Sequence, residues 1–116
     1  MTKVFAYARF VNLLVLHRKN SQDKEFEGCD EILCFISEAS SSGKRIRYTD
    51  LVQFVEFGTG PTVLRKCNLL VDRGFIKIGP SEADKREKVI SLSRKGINFL
   101  IERGNLMRQA VKESDH

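Results

Sequence analysis

TDLVQFVEFGTGPTVLRKCNLLVDRGFIKIGPSEADKR, residues 49 to 86, changes its periodicity partway along, and that change decides the fold. From Thr49 to Phe57 the residues Leu51, Val52, Phe54 and Val55 recur at helical spacing, so this segment reads as a short helix with one apolar face. Thr49 is placed to cap its free amides, and Asp50 favours its first turn. Gly58 stops it, and Gly58-Thr59-Gly60 forms a tight turn. Pro61 suits the first position of a second helix, where a missing N–H costs nothing. That helix runs to about Arg73, with Val63, Cys67 and Leu70 on its buried face and Val71 at the margin. Thr62, Arg65, Lys66 and Leu69 are expected on the other face. Gly74 ends it by taking a positive φ.

Beyond Gly74 the period falls to two. Phe75 to Ile78 and Lys88 to Leu92 are expected strands, joined by a polar loop from Gly79 to Glu87. A helix-turn-helix followed by a basic-tipped hairpin is a winged helix. The expected fold class is therefore mainly α with a small β-hairpin (α+β).

Within this half the chain resembles the MarR family of bacterial transcriptional regulators. The resemblance rests on Thr62-Val63-Leu64-Arg65, on LLVDRGFI from Leu69 to Ile76, on Asp84-Lys85-Arg86, and on LSRKG from Leu92 to Gly96. It implies a regulator that places one helix in the major groove of double-stranded DNA and its wing in the minor groove. It also implies that Arg86 enters the minor groove while Asp84 braces the wing. Placing the remaining polar residues on a duplex makes Pro61, Thr62, Arg65 and Lys66 the part of the second helix presented to DNA. Arg65 is the candidate for reading a guanine, while Thr59, Thr62 and Lys66 touch phosphates. Lys85 and Lys88 add backbone contacts.

The flanking sequence fits one domain spanning residues 1 to 116, with the helix-turn-helix at 49–74 and the wing at 75–93. Residues 2–19 form a helix too apolar to be covered on one side only, and it ends in His17-Arg18-Lys19, not in a cleavage site. It is too short and too charged to span a membrane. Ser21 to Gly28 is a polar connector. Cys29, Ile32, Leu33, Ile36 and Ala39 mark a second helix, its buried face enlarged by Phe35, and it gives way to a loop at Ser40-Ser41-Ser42-Gly43. Arg45-Ile46-Arg47 is a candidate short strand. A last helix at about 94–112 starts after Ser93 and aligns Ile97, Leu100, Ile101, Gly104, Met107 and Val111, the glycine allowing close approach of another helix. In the resembled family the terminal helices pair two subunits, so a homodimer is expected. The family's usual extra C-terminal helix would begin about where this sequence ends.

The net charge of +5 and pI of about 9.3 favour a polyanionic partner, and the cations gather at residues 44–47, 65–66 and 85–88. The three cysteines, Cys29, Cys34 and Cys67, are odd in number and form no C-x-x-C pair, which fits reduced, buried thiols in a cytoplasmic protein better than a disulfide framework. His17 and His116 have no companion at metal-ligand spacing. No phosphate-binding loop or activated nucleophile is present, so neither a catalytic role nor a cofactor is expected. Members of the resembled family often bind small aromatic effectors, but no residue cluster marks such a pocket here. Two alternatives remain: a compact plasmid or phage adaptor that coats repeated DNA sites, and a wing that docks a protein partner through Leu64 and Leu69.

Overall fold

The computed structural model describes residues 2–20, 29–52, 58–82 and 84–114. Its elements are α1 (Thr2–Asn20), α2 (Asp30–Ser41), β1 (Ile46–Arg47), α3 (Tyr48–Val52), α4 (Gly60–Asp72), β2 (Ile76–Pro80), β3 (Lys88–Leu92) and α5 (Arg94–Ser114). This is the order expected from the sequence. They fall into two compact units, Phe26–Ile97 and the pair Met1–Glu25 with Asn98–His116.

The larger unit is built on a three-stranded antiparallel sheet in the order β1-β3-β2. Ile90 on the central strand pairs with Ile46 on one side and Ile78 on the other. Alternation along the strands turns Ile76 and Ile90 inward, where they meet the buried faces of the helices. Those faces supply Ile32, Leu33 and Ile36 from α2, Leu51 from α3, and Val63, Cys67 and Leu70 from α4, all 1% exposed or less. The buried stripe of α4 is the one that its spacing predicts.

Several boundaries differ from expectation, most for a local reason. α2 continues through Ser41, because the chain reverses at Gly43 (φ +74), where Gly43 and Lys44 donate to the carbonyls of Ser40 and Ala39. α3 starts at Tyr48 directly from β1, so Thr49 lies inside its first turn and does not cap it. Instead, Arg47 Nε and NH2 donate to the Asp50 carboxylate at 2.9 and 2.8 Å across that junction. The expected extension of this helix to Phe57 and the connector at residues 21–28 lie outside the described residues. β2 begins one residue late, since Phe75 completes the end of α4: Gly74 (φ +80) donates to Val71 O, and Phe75 donates to Leu70 O at 2.9 Å. It also extends to Pro80, leaving a shorter loop than the sequence implies.

At the start of α5 the expected cap is in place: Ser93 Oγ accepts the Gly96 N–H at 3.0 Å while donating to the Gly74 carbonyl. In the smaller unit α1 runs antiparallel to α5, with Arg9 paired to Glu113 and His17 Nε2 3.6 Å from Glu102. The helices leave Phe5, Tyr7, Leu16, Ile101, Met107 and Val111 more than half exposed. At Gly104 a Cβ would meet nothing within 4 Å among the described residues, so the close approach expected there is not made within the chain.

Candidate nucleic-acid interface

α4 enters through Thr59, whose extended backbone (φ −69, ψ 159) and carbonyl, bonded to the Val63 N–H at 2.9 Å, start the helix at Gly60. Pro61 therefore takes the second position, one later than the sequence suggests, at an amide that would still lack an intrahelical partner. The Thr59 hydroxyl makes no cap; it donates to Thr62 Oγ1 at 3.0 Å. Two hydroxyls and the positive end of a 13-residue helix thus share one end of α4.

The outward face of α4 holds other residues than those expected. Pro61, Leu64, Arg65, Asn68 and Asp72 are exposed, whereas Thr62, Lys66 and Leu69 are half-buried on its shoulder. At 100° per residue Pro61, Arg65 and Asp72 lie opposite Val63, Cys67 and Leu70, with Asn68 about 130° from that stripe and Leu64 at about a right angle to it. Asn68 was thus missed as a face residue, although its spacing from Pro61 and Arg65 carried the signal, whereas Leu64 was expected on this face only for a protein partner.

The wing is held from its base. Ser81, 3% exposed, accepts a hydrogen bond from Arg45, and its N–H donates to Glu87 O at 2.8 Å. Nothing in the local sequence marks this contact, because Arg45 and Ser81 are 36 residues apart. At the tip, Asp84 Oδ1 accepts the Arg86 N–H at 3.0 Å and lies 3.7 Å from Arg86 Nε, while the Arg86 side chain is 95% exposed. Arg86, Lys88 and Asp84 share an open groove with Arg47, Tyr48 and Thr49. Lys85 stands exposed at the turn and does not line that groove. Of the cations at residues 44–47, Arg45 and Arg47 are engaged by the fold itself, and the Arg47 guanidinium holds the Asp50 carboxyl below its usual range.

Burial pushes all three thiols up, Cys67 to about 11, and beside Cys34 the carboxylates of Asp30, Glu38 and Glu31 add to the effect. Cys29 and Cys67 are buried as expected, but Cys34 is exposed, on the side of α2 away from its buried residues Ile32, Leu33 and Ile36. Alkylation of the native protein at pH 8 is expected to modify Cys34 alone, with Cys29 and Cys67 reacting only in denaturant; mass spectrometry of the adducts checks this. Labelling of Cys67 as fast as Cys34 would refute the packing of α4. Among the described residues no group of three potential ligands could hold a metal ion, and no helix is long and apolar enough to cross a membrane.

No family model and no curated protein matches the sequence. Solved structures do match. A mutant of MepR from S. aureus aligns over 92% of this chain and 80% of its own at 18% identity, with a TM-score of 0.57. A mutant of MarR from E. coli, complexed with operator DNA, aligns over 97% and 69% at 18% identity, with a TM-score of 0.56. BldR from Sulfolobus solfataricus aligns over 97% and 84% at 19% identity, with a TM-score of 0.53. Helix-turn-helix, three-stranded sheet, wing and flanking helices together give this chain the winged-helix fold of the MarR-type regulators.

Proposed function

We propose that this protein is a cytoplasmic, sequence-specific transcriptional regulator that binds double-stranded DNA as a homodimer. Two copies of α4 enter successive major grooves of a roughly palindromic operator, with half-sites about 34 to 36 Å apart. The observation that carries this reading is the pairing of an outward Arg65 on α4 with a wing whose tip arginine is 95% exposed on a braced backbone. The likeness to a regulator solved on operator DNA supports it. Arg65 reads guanine, a contact worth about 1 to 3 kcal/mol of discrimination. Thr59, Pro61, Thr62 and Lys66 pack along the backbone at the entry of α4, and Lys85 and Lys88 do so beside the wing. Arg86 enters the minor groove, where a narrow A·T tract concentrates negative potential. The apolar residues exposed on α1 and α5 support the dimer. The protein acts by occupying its site, without catalysis.

The test is affinity against salt for random duplex and for a sequence enriched from a random pool. Wild type is expected to bind the enriched site tightly and to weaken steeply with salt, as phosphate neutralisation releases counterions. Arg65→Ala should lower the preference for the enriched site by about 5- to 150-fold, corresponding to about 1 to 3 kcal/mol. Arg86→Ala should weaken binding and erase any preference for A·T at the flank. If no sequence can be enriched, the reading fails. The exposed Leu64 then makes a protein partner on α4 the leading alternative.

A further inference from the structure

The exposed stripe of α4 holds more than the arginine. Asn68 lies one turn beyond Arg65 on the exposed side of the helix, and Leu64 stands beside it at 39% exposure. The asparagine is not explained by the helix itself. Asparagine is a poor former in a helix interior, and Leu64 leaves part of its apolar surface in water. Asp72, the next exposed residue along the stripe, is acidic and unsuited to a polyanion, so the usable face closes after Asn68.

We infer that Asn68 and Leu64 are specificity-determining residues that read an adenine and a thymine methyl beside the guanine taken by Arg65. This rests on the proposed DNA-binding function and deepens it. An asparagine amide matches adenine in the major groove, accepting from N6 and donating to N7, and no other base offers that pair of groups on the same edge. The C5-methyl of thymine is the apolar group that an outward leucine can meet in the groove. Arg65 and Asn68 are separated by a rise of about 4.5 Å along the helix, against about 3.4 Å per base step. The guanine and the adenine therefore lie one or two base pairs apart. The rival reading, an ordinary solvated face, predicts that both residues are interchangeable with alanine.

The experiment selects a half-site with the full-length wild type, then measures binding of wild type, Arg65→Ala, Asn68→Ala, Asn68→Asp and Leu64→Ala to it. Every single-base variant of the site is included, and each thymine is replaced in turn by uracil. Asn68→Ala is expected to lose about 5- to 100-fold of the preference for adenine at one position, with the slope against salt unchanged. Asn68→Asp should move that preference towards cytosine, whose N4 amine donates to a carboxylate. Leu64→Ala should stop distinguishing thymine from uracil at one position. If wild type enriches a site and Arg65→Ala relaxes it while the Asn68 variants keep the same base profile, this inference is overturned and the DNA-binding reading stands. If wild type enriches nothing, both fall. Circular dichroism of the variants separates lost contacts from lost folding, since Arg65 and Asn68 are exposed and Leu64 is partly so.

Discussion

Gly96→Ala is expected to cost about 3 kcal/mol or more of stability and to lower the melting temperature by about 10 °C or more. A methyl group at this position would lie far inside van der Waals contact with the carbonyl oxygen of Phe75, and 3.3 Å from Leu92 Cδ2. The oxygen is not free to retreat. It accepts the Ser93 N–H at 3.0 Å, while the N–H of the same residue is tied to Leu70 O and its ring lies buried beneath Lys95 Nζ at 4.5 Å. Relief would have to come from shifting the start of α5 away from the end of α4. Alanine does favour a helix over glycine, by about 1 kcal/mol, but that gain is smaller than the clash. Gly104→Ala supplies the contrast, since a methyl there meets nothing within 4 Å among the described residues. Thermal unfolding followed by circular dichroism decides the matter, and a Gly96→Ala protein melting within a degree or two of wild type would contradict the packing of this junction.

The second large effect belongs to the proposed dimer. Ile101 and Met107 are each 54% exposed and Val111 is 52% exposed, apolar surface that a folded monomer leaves in water. Ile97, Ile101, Gly104, Met107 and Val111 repeat at three- and four-residue intervals, the pattern of a seam between helices. The double substitution Ile101→Glu, Met107→Glu would force carboxylates into that seam if a second copy covers it. The expected result in sedimentation is a monomer where wild type is a dimer. Separating the two DNA-reading halves then removes the advantage of joint binding, lowering operator affinity by about 10²- to 10⁴-fold. The fold of each chain should survive, because these side chains are already exposed within it. A wild type that sediments as a monomer at micromolar concentration, or a double variant that stays dimeric, would rule out this face as the interface.

The sequence alone determined the order of elements, the buried stripe of α4 and the positions of its stops. These are local properties: a 3.6-residue period at Val63, Cys67 and Leu70, a two-residue period after Gly74, and a glycine where the chain must take a positive φ. The start of α3 was less legible, because Arg47 takes up Asp50 across the junction, and a side-chain pair of this kind competes with the cap expected at Thr49. The tertiary structure decided how far the margins of the α4 stripe are covered. A helical wheel allows a broad polar side, and packing against the sheet and neighbouring helices left Thr62 and Lys66 half-buried on the shoulder while Asn68 stays exposed. It also decided what anchors the wing, since Arg45 and Ser81 meet only once β1 pairs with β3. Contacts between residues far apart in the chain leave no period in the sequence, whereas helix stripes and turns do.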